Sequence, residues 1–482
     1  MSKKQDVTRR DFIRGAAKAA AGVTAGTAAV QTAQASPEVF KRILPQTIMG
    51  ANEKIRTGHI GVGGMGTRNL QIVMNRDAQD IQPIMVCDLF PNYAKRAAQL
   101  VAKGVGKGAF DPPAITDKFE EVIANKDVDA VVVVTPDHWH TLPTLMAIDA
   151  GKDVYCEKPL CATIEEAVVV RDKVKGSKQV YQSGTIQRSG RYFQEAVDMI
   201  KSGYIGKVGR VECWNHDEST IEGIGNPTDP KPDWLDWDRY IGWTPKVEYN
   251  KNRYIYNFRW FTDYSGGKIT DWGTHLLDIA IWAMGQDKQP KNITASSGNL
   301  ILTDNRTTPD TLDVFWEFDD YILSFSNRAW SPDWWYDQVG EKKVPSPGHG
   351  IFFHDTLGTM RVDRLGYVIY PFGANSAIGK AEPKSVRDEV EGNMNVAHWQ
   401  NFADCVRSRK DPICNIDVAF QTALICLTGK CTYLANAKLQ WDANANKFTG
   451  KDADAVKAAN EWAYRPYQNG WSLKAPYYEG WA

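Results

Sequence analysis

From residue 55 the chain alternates between two spacings of apolar positions. Ile55 to Ile60 reads as a short strand that runs into Gly61-Val62-Gly63-Gly64-Met65-Gly66, and Thr67 to Met74 then reads as a helix. A second strand is predicted over Ile84 to Asp88. Val128 to Thr135 is a nearly continuous apolar run, the pattern of a parallel strand covered on both faces. It ends in Thr135-Pro136-Asp137-His138-Trp139-His140, and a helical stretch from Leu142 to Ala150 leads to Gly151-Lys152-Asp153-Val154-Tyr155-Cys156-Glu157-Lys158-Pro159, another strand closing on a charged turn. Strands that alternate with helices in this way predict a doubly wound parallel sheet over residues 55–185.

The second half has a different texture. Gly266 and Gly267 break a polar, aromatic stretch, and Asp271 to Met284 then reads as an amphipathic helix that offers Leu276, Leu277, Ile279, Ala280, Ala283 and Met284 for packing. Gly350 to Tyr370 reads as alternating strands, and Val396 to Val406 and Ala419 to Ala435 read as helices that pack back across the first domain. Asp454 to Ala482 is an aromatic, polar tail. The expected plan is therefore a second α/β domain over residues 186–395 for substrate and oligomer contacts, followed by C-terminal helices and a tail over 396–482.

Residues 1–35 stand apart from this pattern. Thr8-Arg9-Arg10-Asp11-Phe12-Ile13-Arg14 opens a weakly apolar stretch that ends at Ala33-Gln34-Ala35, so a twin-arginine export signal is expected there, followed by an arm over 36–54. The mature protein is expected to be periplasmic or otherwise exported. No later segment approaches the roughly 18 apolar residues needed to span a bilayer, so no membrane insertion is expected once the signal is gone. At 482 residues, 43% hydrophobic and with a net charge of −1, the chain can bury a large core but raises no field that would recruit nucleic acid or an anionic membrane. All eight Cys follow the signal, without a Cys-x-x-Cys, and several lie inside apolar patterns; buried free thiols are expected rather than disulfides or a zinc site.

The chemistry starts at the glycine turn. Gly61 permits the tight turn, Gly63 lets a backbone approach a pyrophosphate, and Gly66 lets the helix pack closely on its strand, with its N-terminus toward the phosphates. Asp88 ends the next strand about 20 to 25 residues further on, where a ribose 2′-hydroxyl would sit. Its charge would repel a 2′-phosphate and no Arg immediately follows it, so NAD is expected over NADP; a helix or turn cap before Pro91 is the other reading of Asp88. His138 and His140 could share one face of an extended strand end as a metal pair, but no third ligand follows at fixed spacing and no metal is expected. Asp271 and His275, four residues apart on a predicted helix, share a face on which the carboxylate can orient the imidazole.

The glycine turn at 61–66, Thr-Pro-Asp-His-Trp-His at 135–140, Glu157-Lys158-Pro159 and Asp271-Trp-Gly-Thr-His275 occur here in that order. In this ordered set the chain resembles the Gfo/Idh/MocA oxidoreductases, the family of glucose-fructose oxidoreductase and inositol dehydrogenase, over essentially all of the mature sequence. The resemblance implies an NAD-binding Rossmann domain at 55–185 and a second α/β domain built on an open, mostly antiparallel sheet. It places Glu157 and Lys158 near the nicotinamide and lines the cofactor cleft with Thr135, Pro136, His138 and His140, His140 helping to hold position. Together with Gly61, Gly63, Gly64, Met65, Gly66 and Asp88, these are the expected cofactor contacts.

It also implies hydride transfer from a sugar, polyol or sugar-derivative alcohol, with His275 as base, Lys158 holding the reacting oxygen and Asp271 positioning or tuning both. The 17 Trp and 19 Tyr suit stacking on sugar faces. Tyr192, His216, Tyr254, Arg259, Trp260 and Tyr264, with Trp214 and Asp217, cluster before the Asp271 helix as candidate substrate contacts. Redox-neutral glycoside hydrolysis with tightly bound NAD is the alternative activity that relatives imply; export favours it, and retention of Lys158 favours the dehydrogenase. A non-catalytic dinucleotide-binding protein is a minor alternative. The family's open sheet faces imply a homo-oligomer, dimer or tetramer.

Overall fold

The structure, a computed structural model, describes residues 53–76, 80–104, 110–333, 336–339, 342–373 and 391–481. The expected export signal and the arm up to residue 52 lie outside the described residues. Strands β1 (Ile55–Ile60), β2 (Ile81–Cys87), β3 (Ala114–Thr116), β4 (Ala130–Val133), β5 (Asp153–Cys156) and β6 (Tyr181–Ser183) form one sheet in the order β3-β2-β1-β4-β5-β6. Every pair in it is parallel. All four residues of β4 are buried, as a strand covered on both faces requires. Helices α1 (Gly64–Asn75), α2 (Pro91–Lys103), α3 (Phe119–Ala124), α4 (Thr141–Asp149) and α5 (Ile164–Lys175) make the returns. The Thr163 side chain and Glu166 close a capping box that fixes where α5 begins.

The second domain continues with α6 (Arg191–Lys201), β7 (Arg210–His216), α7 (Trp237–Ile241), α8 (Lys268–Met284), β8 (Asn292–Gly298), β9 (Thr311–Glu317) and β10 (Ile322–Arg328). A hairpin, β11 (Tyr336–Val339) and β12 (Lys342–Pro345), precedes β13 (His349–His354), β14 (Gly358–Asp363) and β15 (Gly366–Pro371). The chain ends in α9 (Glu391–Ser408), α10 (Ile416–Ala435), β16 (Leu439–Asp442), β17 (Lys447–Thr449) and α11 (Ala453–Ala463). Nine of these strands form a sheet in the order β15-β14-β13-β7-β10-β9-β8-β16-β17. It is antiparallel except where β7 pairs with β10. Alternate residues on one face, among them Val211, Cys213, Val314, Trp316, Phe325 and Phe353, are buried. Helices α8 and α10 pack across this sheet.

Several boundaries differ from the sequence reading for identifiable reasons. Helix α8 starts at Lys268 rather than Asp271, because Gly267, at φ 72°, takes the left-handed conformation and serves as the N-cap; Asp271 therefore falls in the first turn. The C-terminal segment returns to both domains, since β16 and β17, too short to show a period, extend the second sheet. The tail opens with α11. Helix α10 corrects the expectation about membrane spans: its 20 residues, with a mean hydropathy of 1.2, are long and apolar enough to cross one, but 78% of the apolar window is buried inside the protein. Wedged among α5, α8 and the second sheet, it is apolar all round because it is a core helix. All eight Cys are buried and unpaired.

Helix α9 is the part that returns to the first domain. Trp399 stacks on Tyr155 of β5 with ring centroids 4.1 Å apart and joins Ile55, Val73 and Val132 in one apolar cluster. Its indole N–H donates to Asn69 Oδ1 at 3.2 Å, and the Asn69 amide in turn donates to Glu157 Oε1 at 3.0 Å. Trp399→Ala is expected to cost about 3–5 kcal/mol, read as a lowered midpoint in denaturant unfolding. A change below about 1 kcal/mol would show that the helix is not anchored there.

Candidate active site

The ends of β1, β2, β4 and β5 open into one cavity of about 570 Å³. Its floor is the glycine turn. Gly61 has φ 82°, and a Cβ there would come within 2.5 Å of the Val134 carbonyl oxygen, so both conformation and space require glycine. A Cβ on Gly66 would collide with the Gly61 carbonyl oxygen, which is how α1 comes to pack so close to its strand. A Cβ on Gly64, by contrast, would meet nothing within 4 Å: the backbone faces open space. Helix α1 has no side-chain cap and no acidic residue in its first turn, so its N–H groups and positive dipole end are left for an anion. Thr135 Oγ1, at the end of β4, is buried with no partner among the described residues. These features fit a dinucleotide pyrophosphate.

Asp88 lines the same cavity and caps its glycine turn. Its Oδ2 accepts from Val62 N–H at 2.8 Å and its Oδ1 from Phe90 N–H at 2.9 Å, so it staples the glycine turn to the end of β2. Burial pushes its pKa up to about 6, against the pull of those two backbone donors. The turn-cap reading and the ribose reading are therefore compatible, since each carboxylate oxygen keeps a second lone pair.

In the same cavity, Lys158 from the close of β5 meets Asp271 from α8. Lys158 Nζ donates to Asp271 Oδ1 at 2.5 Å and to its carbonyl oxygen at 3.2 Å. Arg259 Nε stands 3.5 Å from Asp271 Oδ2, too poorly aligned for a hydrogen bond. Burial pushes the Asp271 carboxyl up, but Lys158, Arg259 and Lys268 together outweigh it and hold the group well below the usual carboxylate range. His275 lies one turn further along α8, 6% exposed, with no partner for Nδ1 among the described residues. Burial, then Lys158 and Arg364, drive its pKa well below the ordinary imidazole value, so it is neutral at physiological pH.

Not every expected residue reaches the cavity. Gly61, Gly63, Gly64, Met65, Asp88, Thr135, Pro136, His140, Glu157 and Lys158 line it; Gly66 packs beneath, and His138 and His275 do not line it. The two histidines that could have shared a strand face are separated because Asp137–Trp139 form a 3₁₀ turn. His138 Nε2 pairs with the Tyr240 carbonyl at 3.0 Å, whereas His140 bridges the carbonyls of Pro159 and Thr135 at 2.6 and 2.9 Å. No group of three potential metal ligands gathers among the described residues.

Of the proposed substrate contacts, Tyr254 and Arg259 line the cavity and Tyr192, His216, Trp260 and Tyr264 do not. Tyr264 is fully buried against His138, Tyr192 packs on Phe193, and Trp260 lies beneath Lys268 and Arg306. His216 is tied through Nδ1 to Asp333 at 2.6 Å, and Trp214 donates to the same carboxylate. Asp217 pairs with Lys268. The opposing wall is one the sequence did not announce: Trp234, Leu235, Arg239, Tyr240, Ile255, Tyr256 and Phe258, from the irregular stretch between β7 and α8. Trp139 and Trp243, whose indoles donate to Tyr240 and His138 carbonyls, hold that wall against the first domain.

Comparison with known proteins finds relatives for both domains. Residues 55–185 match the model of the oxidoreductase family's NAD-binding Rossmann fold, and residues 210–300 match the same family's C-terminal alpha/beta domain. Two stretches of the chain thus match the two domains of the Gfo/Idh/MocA oxidoreductase family, in the family's order. It is 23% identical over 368 residues to the scyllo-inositol 2-dehydrogenase (NAD(+)) of Bacillus subtilis, covering 75% of this chain and 88% of that one. It is 25% identical over 207 residues to a glycosyl hydrolase family 109 protein of Shewanella pealeana, covering 42% and 44%. The chain spans about half the length, or somewhat less, of this hydrolase and of an inositol 2-dehydrogenase of Salmonella paratyphi B, at 44% and 49%. The fold matches levoglucosan dehydrogenase in complex with NADH and levoglucosan, with TM-score 0.57 and 18% identity over 80% of this chain and 99% of that one. It also matches the WlbA dehydrogenase of Bordetella pertussis in complex with NADH and UDP-GlcNAcA, with TM-score 0.58 and 15% identity over 81% and 99%.

Asp88 gives this site a pH signature. Its carboxylate is ionised at neutral pH and gains a proton as pH falls through about 6, which removes a charged acceptor from the cavity. NAD affinity, followed by calorimetric titration, is expected to weaken several-fold across that interval. An affinity that stays constant through it would take Asp88 out of dinucleotide binding.

Proposed function

We propose that this protein is an NAD-dependent oxidoreductase that interconverts a secondary alcohol and a carbonyl on a sugar, polyol or sugar derivative. The observation that carries this reading is the 2.5 Å contact between Lys158 and Asp271 in the same cavity that the glycine turn lines. Gly61 to Met65, Thr135 and Asp88 would hold the dinucleotide, with the Asp88 carboxylate selecting NAD over NADP. Bound nicotinamide would supply the hydride acceptor, a chemistry no side chain provides.

The protein's own groups handle the proton and the oxygen. Of the three N–H donors on Lys158, two engage Asp271, which leaves one for the substrate oxygen. That donor orients the hydroxyl and stabilises the negative charge that grows on oxygen as the C–H bond breaks. His275, neutral with an unpartnered Nδ1 but not lining the cavity, is the final acceptor of the hydroxyl proton: Lys158 would turn the N–H it gives the Asp271 carbonyl toward the imidazole, pass that proton on and take the hydroxyl proton in its place, ending charged as it began. Asp271 keeps Lys158 charged and aimed. Tightly held NAD suits the export signal expected at 1–35, since an exported enzyme meets no free dinucleotide pool.

Redox-neutral glycoside hydrolysis is the second reading, favoured by the similarity to family 109 hydrolases. In it bound NAD would supply only a transient hydride acceptor, the same residues would hold the ring hydroxyl and move its proton, and elimination of the glycosidic bond and addition of water would leave cofactor and substrate at their starting oxidation levels.

Lys158→Met is expected to lower kcat by about 10²–10⁴ with NAD affinity retained. Because the folded protein keeps His275 neutral to well below its ordinary 6.5, kcat/KM should show no acid limb centred there. Full turnover in the variant, or a limb near that value, would refute the assignment of these two residues.

A further inference from the structure

The wall opposite the glycine turn carries one residue under evident strain. Ile255 lines the cavity mouth at φ 60°, a left-handed conformation that a β-branched side chain avoids, and it is 39% exposed. Strain of this kind persists only where neighbouring contacts over-determine the backbone, and it gathers at ligand clamps. The contacts are present on both sides. Tyr254 packs its ring against Tyr240 and Tyr249, and the Tyr240 hydroxyl donates to the Arg253 carbonyl at 3.2 Å. After Ile255, Arg259 Nη1 donates to the Tyr256 carbonyl at 2.5 Å.

This arrangement presents Tyr256. Its ring lines the cavity yet is 66% exposed, and no aromatic ring stacks on it among the described residues. The Arg259 guanidinium lies over one face at 4.1 Å from the centroid. The same guanidinium stands 3.5 Å from Asp271, which is bonded to Lys158. Through Arg259 the ring is therefore tied to the Lys158–Asp271 pair. With one face against Arg259, the ring leaves its other face for a partner, and the C–H face of a sugar ring matches it in size and character.

We propose that Tyr256 is a stacking platform for the sugar ring of the substrate at the cavity mouth, and that Arg259 positions it relative to Lys158 and Asp271. This rests on the reading that a sugar or polyol alcohol reacts at Lys158. Aromatic stacking on one ring at the mouth favours a cyclic sugar or glycoside over an open-chain polyol. Tyr256 is thus a binding residue, with Arg259 acting through it and through Asp271.

The test uses the full protein loaded with NADH, so that alcohols bind without turnover. A panel of hexoses, methyl glycosides and inositols is titrated calorimetrically into wild type, Tyr256→Ala and Tyr256→Phe, with NADH affinity measured on each as the control for folding. Tyr256→Ala is expected to weaken the tightest-binding ring by roughly tenfold, Tyr256→Phe to stay within about twofold, and NADH affinity to be unchanged. Equal binding by wild type and Tyr256→Ala overturns the platform, as does an equal loss in Phe and Ala variants, which would assign the contact to the hydroxyl. Tyr256-dependent binding of a sugar that wild type with NAD never oxidises leaves the platform standing and removes the oxidoreductase reading. If no ring on the panel binds wild type, both fall.

Discussion

The ion pair between Lys158 and Asp271 is the point at which two separately built domains become one site. Lys158 is delivered by the end of β5 in the parallel sheet, Asp271 by the first turn of α8 on the antiparallel one. Neither side chain is more than 16% exposed, so each gives up hydration that the other must replace. Removing either partner would strand a buried charge, which makes the pair a constraint on how the domains meet as well as a chemical device. The surrounding structure serves that constraint. Helix α9 clamps β5 and, through Trp399 and Asn69, reaches Glu157 beside Lys158; α10 packs on both α5 and α8, one from each domain.

The electrostatics follow from that geometry. Lys158, Arg259 and Lys268 converge on a single buried carboxylate, so Asp271 stays ionised despite its burial. Desolvation, joined by the charges of Lys158 and Arg364, keeps His275 neutral. A fixed ammonium beside a neutral imidazole is the combination that can hold an oxygen, stabilise charge on it and take its proton, and it costs little reorganisation because the charges are already in place. Asp88 is pushed in the other direction, toward the proton, because burial there is offset only by two backbone donors and the more distant charge of Arg96.

Much of this could be read from the chain, and the parts that could not share a cause. The glycine turn, Asp88, the charged close of β5 and the Asp271–His275 spacing are local patterns: strand periodicity and a fixed helical offset put each side chain where it acts. The wall formed by Trp234 to Phe258 has no period, because it belongs to short turns held by contacts with the other domain, so Tyr256 and Ile255 carried no signal. Aromatic content near α8 was likewise ambiguous. Tyr254 and Arg259 reached the cavity while Tyr192, Trp260 and Tyr264 became packing, a distinction set by tertiary burial that residue type does not encode. The apolar length of α10 was underestimated: no segment was expected to approach a membrane span, yet this helix is long and apolar enough to cross one because it is buried on all sides.

The most direct measurement is to purify the mature protein without added cofactor, denature a portion to identify any dinucleotide released, and follow nicotinamide absorbance while the native remainder meets NAD and a panel of sugars and polyols. Bound or readily bound NAD, with reduced nicotinamide appearing when one of these alcohols is present, is the predicted result. A protein that neither releases nor binds a dinucleotide, or that binds NAD yet neither reduces it nor transforms any sugar or glycoside, would contradict the proposed chemistry at Lys158.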